Sequence, residues 1–177
     1  HVTHGGVDAP PQRPPLADGA VFAGRIERDT GLMDYLEALR LLRQEHGLSV
    51  PLQVLGDGSL RRQASDFCAQ NGLTVEFLGS VSDVMPYLRD ARFAFCSGLL
   101  SMLEAMACGA LVVATYDNPL KEDYLRLSPG AAHIGICDRP AAIRDELLSL
   151  RDPDVAEARA QAAFDYAATQ TWRAVAE

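Results

Sequence analysis

The chain has 177 residues, 48% apolar and 23% charged, the mix of one soluble globular domain with a substantial core. Sixteen basic residues against twenty-four acidic ones give a net charge of −8, which argues against nucleic acid or an anionic membrane as partner, while a local basic group still suits a phosphate. No segment has the length and apolarity of a membrane span and no signal peptide is visible, although a start without initiator Met reads as a fragment or processed form.

Residues 1–19 are rich in Pro, Gly and His and read as a linker or entry segment. A domain is expected over 20–177. Ala20-Val21-Phe22-Ala23-Gly24 is a short apolar run stopped by glycine, hence a buried strand. Leu32, Tyr35, Leu36, Leu39 and Leu42 recur at helical spacing, so a helix runs from about Leu32 to Glu45 and ends at Gly47. Leu52–Leu55 is a second strand, closed by Gly56-Asp57-Gly58, and a polar helix from Leu60 to Gln70 stops at Asn71-Gly72. Val75–Leu78 is a third strand, and Val84–Asp90 a short helix. Phe93–Cys96 is a fourth strand, followed by a helix over Ser101–Cys108 and a fifth strand over Leu111–Ala114. Asn118-Pro119 has the form of an N-cap and a first helical proline, opening a helix to Leu127. His133–Ile136 is a sixth strand, and helices over about 139–150 and 153–170 finish the chain. Cys68, Cys96, Cys108 and Cys137 form no C-x-x-C pair and sit beside apolar stretches, so they read as small buried hydrophobes. The four histidines have no ligand spacing.

Six strand–helix repeats with apolar strands imply a parallel sheet covered on both faces. The expected fold is α/β, a doubly wound Rossmann-like domain with a six-stranded sheet. Ligands in that architecture bind beyond the carboxyl ends of the strands, which selects four features. Arg25, after Gly24, offers a planar, permanently charged fork for a diphosphate, or is a surface arginine. Gly56-Asp57-Gly58 permits close backbone approach to a ligand, or is a tight turn. It is not G-x-G-x-x-G, which argues against a dinucleotide dehydrogenase. Ser97, Gly98, Leu99, Leu100 and Ser101 join a strand to a helix N-terminus, where free N–H groups suit an anion. Ser101-x-x-Glu104 has capping-box spacing, and the same carboxylate suits the paired hydroxyls of a ribose.

The chain from about Val2 onward resembles the C-terminal, donor-binding half of GT-B glycosyltransferases of the retaining family 4 type. His4-Gly5-Gly6-Val7-Asp8 is similar to the segment that opens that domain, and Phe22-Ala23-Gly24-Arg25-Ile26 to its first strand. Val54–Leu60 and Val75–Gly79 resemble its next two glycine-bounded strands, and Leu103–Ala114 its E-A-M-A-C-G stretch. Tyr166-Ala167-Ala168 with Thr171-Trp172 resembles its closing helix. The resemblance implies transfer of a sugar from a nucleoside-diphosphate sugar with retention, without a metal or other cofactor. It implies Arg25 at the diphosphate, Glu104 at the ribose, and Ser97–Ser101 at phosphate or sugar. It further implies an N-terminal acceptor-binding half absent from this chain; a cytoplasmic place is the default expectation, peripheral at the inner membrane face through that half.

Two positions depart from the pattern. A lysine is usual before the glycine that here is Gly31, but Thr30 stands there, with Arg28 a nearby cation. The first glutamate of an E-x7-E pair falls on Cys96, in a shortened segment. The departures keep alternatives open: a nucleotide-binding regulatory module without catalysis, or another GT-B enzyme such as a nucleotide-sugar epimerase.

Overall fold

The computed structural model describes residues 6–172, so His4 and Gly5 of the opening motif lie outside the described residues. Six strands form one sheet: β1 (Ala20–Ala23), β2 (Leu52–Leu55), β3 (Val75–Gly79), β4 (Phe93–Cys96), β5 (Leu111–Thr115) and β6 (Gly135–Cys137). All neighbouring pairs are parallel, in the order β3-β2-β1-β4-β5-β6. Seven α-helices accompany them among the described residues: α1 (Leu32–His46), α2 (Arg61–Asn71), α3 (Met85–Arg89), α4 (Leu99–Ala107), α5 (Pro119–Arg126), α6 (Pro140–Ser149) and α7 (Pro153–Thr169). This is the doubly wound α/β architecture that the apolar strands predict.

Strand alternation sorts the core into two layers. Phe22, Leu52, Val54, Phe93, Phe95, Leu111 and Val113 face one side, with α1 and α6. Val21, Leu55, Ala94, Cys96, Val112 and Ala114 face the other, with α4. The period of two places bulky side chains of β4 under α1 and small ones under α4. α4 answers with Ala105 and Ala107, so helix and sheet approach closely. α7 serves both layers, with Ala156 and Ala160 in the first and Ala163 and Ala167 in the second. Residues 6–19 form no helix or strand, but Val7 is buried and its N–H donates to the Gln170 carbonyl at 2.8 Å. All four cysteines are buried free thiols, and burial pushes Cys96 and Cys137 up to about 12.

The sequence reading places most element ends within a residue or two, with one consequential error. α4 begins at Leu99, not Ser101, with Gly98 as its N-cap. The apolar stripe explains the earlier start. Leu99, Met102, Leu103 and Met106 are spaced i, i+3, i+4 and i+7 and pack into the second layer, so the helix includes Leu99. β6 also starts later than expected, at Gly135, because Ala131–His133 closes a 3-10 turn in which His133 stacks on Tyr166.

Tyr35 joins α1 to the sheet. Its ring is fully buried and stacks on Phe95 with centroids 4.4 Å apart. Its hydroxyl donates to the Val113 carbonyl at 3.2 Å and accepts from the Thr115 N–H at 3.1 Å. Val113 is the last β5 residue paired with β4, and Thr115 lies beyond that pairing. Tyr35→Phe leaves both buried backbone groups without this partner, and the variant should lose about 1–3 kcal/mol of unfolding free energy. Urea titration should show a lower midpoint with an unchanged slope.

Candidate functional site

The chain winds one way from β1 through β2 to β3 and the other way from β4 outward, so the loops leaving β1 and β4 part and open a crevice. A Cβ built on Gly24 would lie 3.9 Å from the Ser97 hydroxyl oxygen, so the two exits run side by side. A cavity of about 960 Å³ opens there, near the upper end of the roughly 300–1,000 Å³ common for ligand pockets.

One wall is the loop 24–31. Arg25 is exposed, and its guanidinium donates to the Asp29 carboxylate at 2.8 Å. Thr30 is buried. Its hydroxyl lies 2.7 Å from the Arg25 carbonyl and 2.8 Å from the Glu27 carbonyl, and accepts from the Glu27 N–H at 3.4 Å. Thr30 is therefore an internal tie of the loop. Glu27 accepts from the Ser59 N–H and hydroxyl, which holds its carboxyl below the usual range and fastens the loop to the start of α2.

The facing wall is the N-terminus of α4. Gly98, in extended conformation, caps the helix without a side chain. The Leu99 N–H donates to the Tyr124 hydroxyl at 3.0 Å, while the Leu99 side chain turns into the core. Ser101 occupies the first turn and donates its hydroxyl to the Gly98 carbonyl at 2.8 Å. The capping box expected from spacing is therefore absent, because the cap is Gly98 and Glu104 sits a full turn further on. Glu104 lines the cavity on the face of Leu100 and Ser101, and among the described residues its carboxylate makes no hydrogen bond or ion pair. Partial burial raises its carboxyl above the ordinary 4.5, and the nearby Asp83 adds to the rise.

Of the residues singled out from sequence, Gly24, Arg25, Ser97, Gly98, Leu100, Ser101 and Glu104 line this one cavity. Leu99 offers it no side chain. Gly56 stands apart from it in a packing role: at φ 135°, its Cβ would lie 1.9 Å from the Gly24 carbonyl oxygen. Cys96 is fully buried in β4, with its thiol toward the Ser101 carbonyl at 3.7 Å, and presents no group to the cavity. Sequence reasoning missed Asn118, Leu120, Lys121 and Tyr124, which line the cavity from α5. The Asn118-Pro119 helix start was legible, but which α5 side chains lean over the β1–β4 crevice depends on how that helix packs. Among the described residues no group of three His, Cys, Asp or Glu side chains is arranged as a metal site, and no helix is long and apolar enough to cross a membrane.

Comparisons with known proteins agree with this architecture. The family described as glycosyl transferases group 1 matches residues 17–150, and the chain belongs to it. A search of curated proteins finds no match. Among solved structures, the C-terminal domain of the group 1 glycosyl transferase LpcC from Francisella tularensis superposes with a TM-score of 0.71 at 20% identity, covering 86% of this chain and 85% of that one. A glycosyltransferase from Rickettsia africae gives 0.70 at 14% identity over 92% of this chain and 46% of that chain. Anabaena HepE, solved in complex with UDP, gives 0.69 at 17% identity over 88% of this chain and 45% of that chain. This chain thus spans about half the length of the latter two, and its fold is that of the C-terminal half of GT-B glycosyltransferases.

The absence of a partner for Glu104 has a consequence for stability. A carboxyl whose folded pKa is raised favours the folded state below its unfolded pKa and loses that contribution as pH rises through the folded value. Glu104→Gln should therefore be at least as stable as the parent at pH 7, and the difference should vanish on acidification below about 4.5. Thermal melts from pH 3.5 to 8 test this. A marked loss of stability at neutral pH would mean that Glu104 carries a structural bond.

Proposed function

We propose that this chain is the donor-binding half of a retaining, family 4-like glycosyltransferase. It binds a nucleoside-diphosphate sugar, of which a hexose is the transferred group, and a second, acceptor-binding half completes the cleft and the reaction. One observation carries the reading. Arg25, the N-terminus of α4 with the N–H groups of Leu100 and Ser101, and the unpaired Glu104 carboxylate converge on a single cavity at the reversal of the sheet.

Each part has a chemical task. Arg25 exchanges its exposed pairing with Asp29 for the diphosphate, which accepts the guanidinium fork in two-pronged form. The N-terminus of α4 receives a phosphate through the backbone N–H groups of Leu100 and Ser101, Leu99 joining by its backbone alone once its N–H exchanges the Tyr124 hydroxyl for the phosphate, and Gly98 and Ser97 leave room for that approach. Glu104 accepts hydrogen bonds from vicinal ribose hydroxyls. Gly56 shapes the crevice by its contact with Gly24. As the glycosidic bond to the donor phosphate breaks, charge grows on the leaving diphosphate, and fixed cations and helix dipoles stabilise it without a metal. The isolated chain is expected to bind the donor but to transfer nothing, since the acceptor groups lie outside it. Its proposed place is the cytoplasm, peripheral to the inner membrane face through the second half.

A second reading, nucleotide binding without transfer, gains support from Cys96, whose buried thiol cannot meet a donor sugar. Transfer or hydrolysis of a donor sugar by the chain joined to its acceptor-binding half separates the two.

Calorimetric titration with UDP, GDP and ADP, and with uridine, guanosine and adenosine, tests the core of the proposal. At least one diphosphate should bind. Arg25→Ala should weaken the diphosphate by about tenfold or more and leave the nucleoside nearly unchanged. Glu104→Gln should weaken diphosphate and nucleoside alike, because both carry the ribose. Binding of none of the three diphosphates would overturn the proposal.

A further inference from the structure

A diphosphate carries two anionic groups, and Arg25 is a single cation already balanced by Asp29. One other cationic side chain lines the cavity among the described residues: Lys121, from the opposite wall. We propose that Lys121 is the second phosphate cation of this site, an inference that rests on the nucleoside-diphosphate reading above.

The geometry supports it in three ways. Lys121 lies in the first turn of α5, and that turn is fixed: Pro119 opens it and the Asn118 side chain accepts from the Lys121 N–H at 2.9 Å. The position of the ammonium is also defined, because it donates to the backbone carbonyl of Asp29. The Asp29 carboxylate holds Arg25, so two acceptors of one residue bring both cations of the cavity together. An incoming diphosphate offers the same pair of acceptors with greater charge. Finally, Lys121 is half-buried, where a charge interacts more strongly with a ligand than on an open surface. Burial lowers its basicity below the ordinary value, and Asp117, Asp29 and Asp34 offset only part of that effect. On the loop opposite, the Thr30 hydroxyl is engaged within its own turn and Arg28 does not line the cavity.

The same contact suggests a competing role, in which Lys121 only clamps the loop 25–31 against α5. The two roles differ in what a variant loses. The experiment is calorimetry on the full chain with UDP, GDP and ADP and their nucleosides, using Lys121→Met, Lys121→Gln and Lys121→Arg, with a thermal melt of each. If Lys121 binds phosphate, Met and Gln should weaken the diphosphate bound by the parent chain by about tenfold or more. The nucleoside should change by less than about twofold, the melting temperature should hold, and Arg should retain most of the affinity. Unchanged diphosphate affinity in Lys121→Met and Lys121→Gln overturns the proposal and leaves the nucleotide reading intact. Equal losses for diphosphate and nucleoside assign Lys121 to the clamp and also overturn it. A parent chain that binds no diphosphate overturns the nucleotide reading and this proposal with it.

Discussion

The site depends on the double pairing of β1. This four-residue strand is hydrogen-bonded in parallel to β2 on one side and to β4 on the other, and its middle residues, Val21 and Phe22, are buried from both faces. Because the chain winds outward from β1 in one direction and from β4 in the other, no connection covers the gap between their carboxyl ends. Gly24 and Ser97 therefore meet at the floor of an open crevice, and each loop must bring its chemistry there from its own side. The extended contact between loops 24–27 and 56–60 stiffens one bank. Ile26 donates its N–H to the Asp57 carbonyl, Leu60 donates to the Ile26 carbonyl, and Glu27 receives Ser59.

The other bank is set by side-chain size. Ala94, Cys96, Ala105 and Ala107 allow α4 to lie close to β4, and that closeness aims its N-terminus at the crevice. A larger residue in place of Cys96 would push the helix outward, so the buried thiol acts as a spacer where an acidic side chain could not be desolvated without a partner. The unpaired carboxylate of Glu104 is the converse case. It is half-buried without an internal bond, and such a group gains most from a ligand that donates hydrogen bonds.

Much of this was legible in the sequence. The short apolar strands, each stopped by glycine or a turn, gave the order of elements, and strand alternation gave the two-faced burial. The site positions followed from a rule of the architecture, which is why seven of nine named residues share one cavity. The errors have identifiable causes. Spacing made Ser101 a helix cap, but the apolar stripe beginning at Leu99 recruits that residue into the helix, and only burial against the sheet reveals it. Gly56 was open to two readings, a ligand contact or a tight turn, and what packing adds is that it stands where the exits of β1 and β2 approach too closely for a Cβ. Lys121 carried no signal, because a lysine in a helix is ordinary until the helix is docked beside a cavity.

The sequence by itself determined the elements, the parallel sheet, the family resemblance and the strand ends at which function gathers, because periodicity and turn chemistry are local and survive without neighbours. The tertiary structure alone decided that Glu104 is free, that Thr30 and Cys96 are occupied in holding the fold, and that α5 contributes a cation facing Arg25. Those are properties of pairs of residues far apart in the chain. Their distances are set by how closely α4 and α5 pack on the sheet, and spacing along the sequence does not encode that.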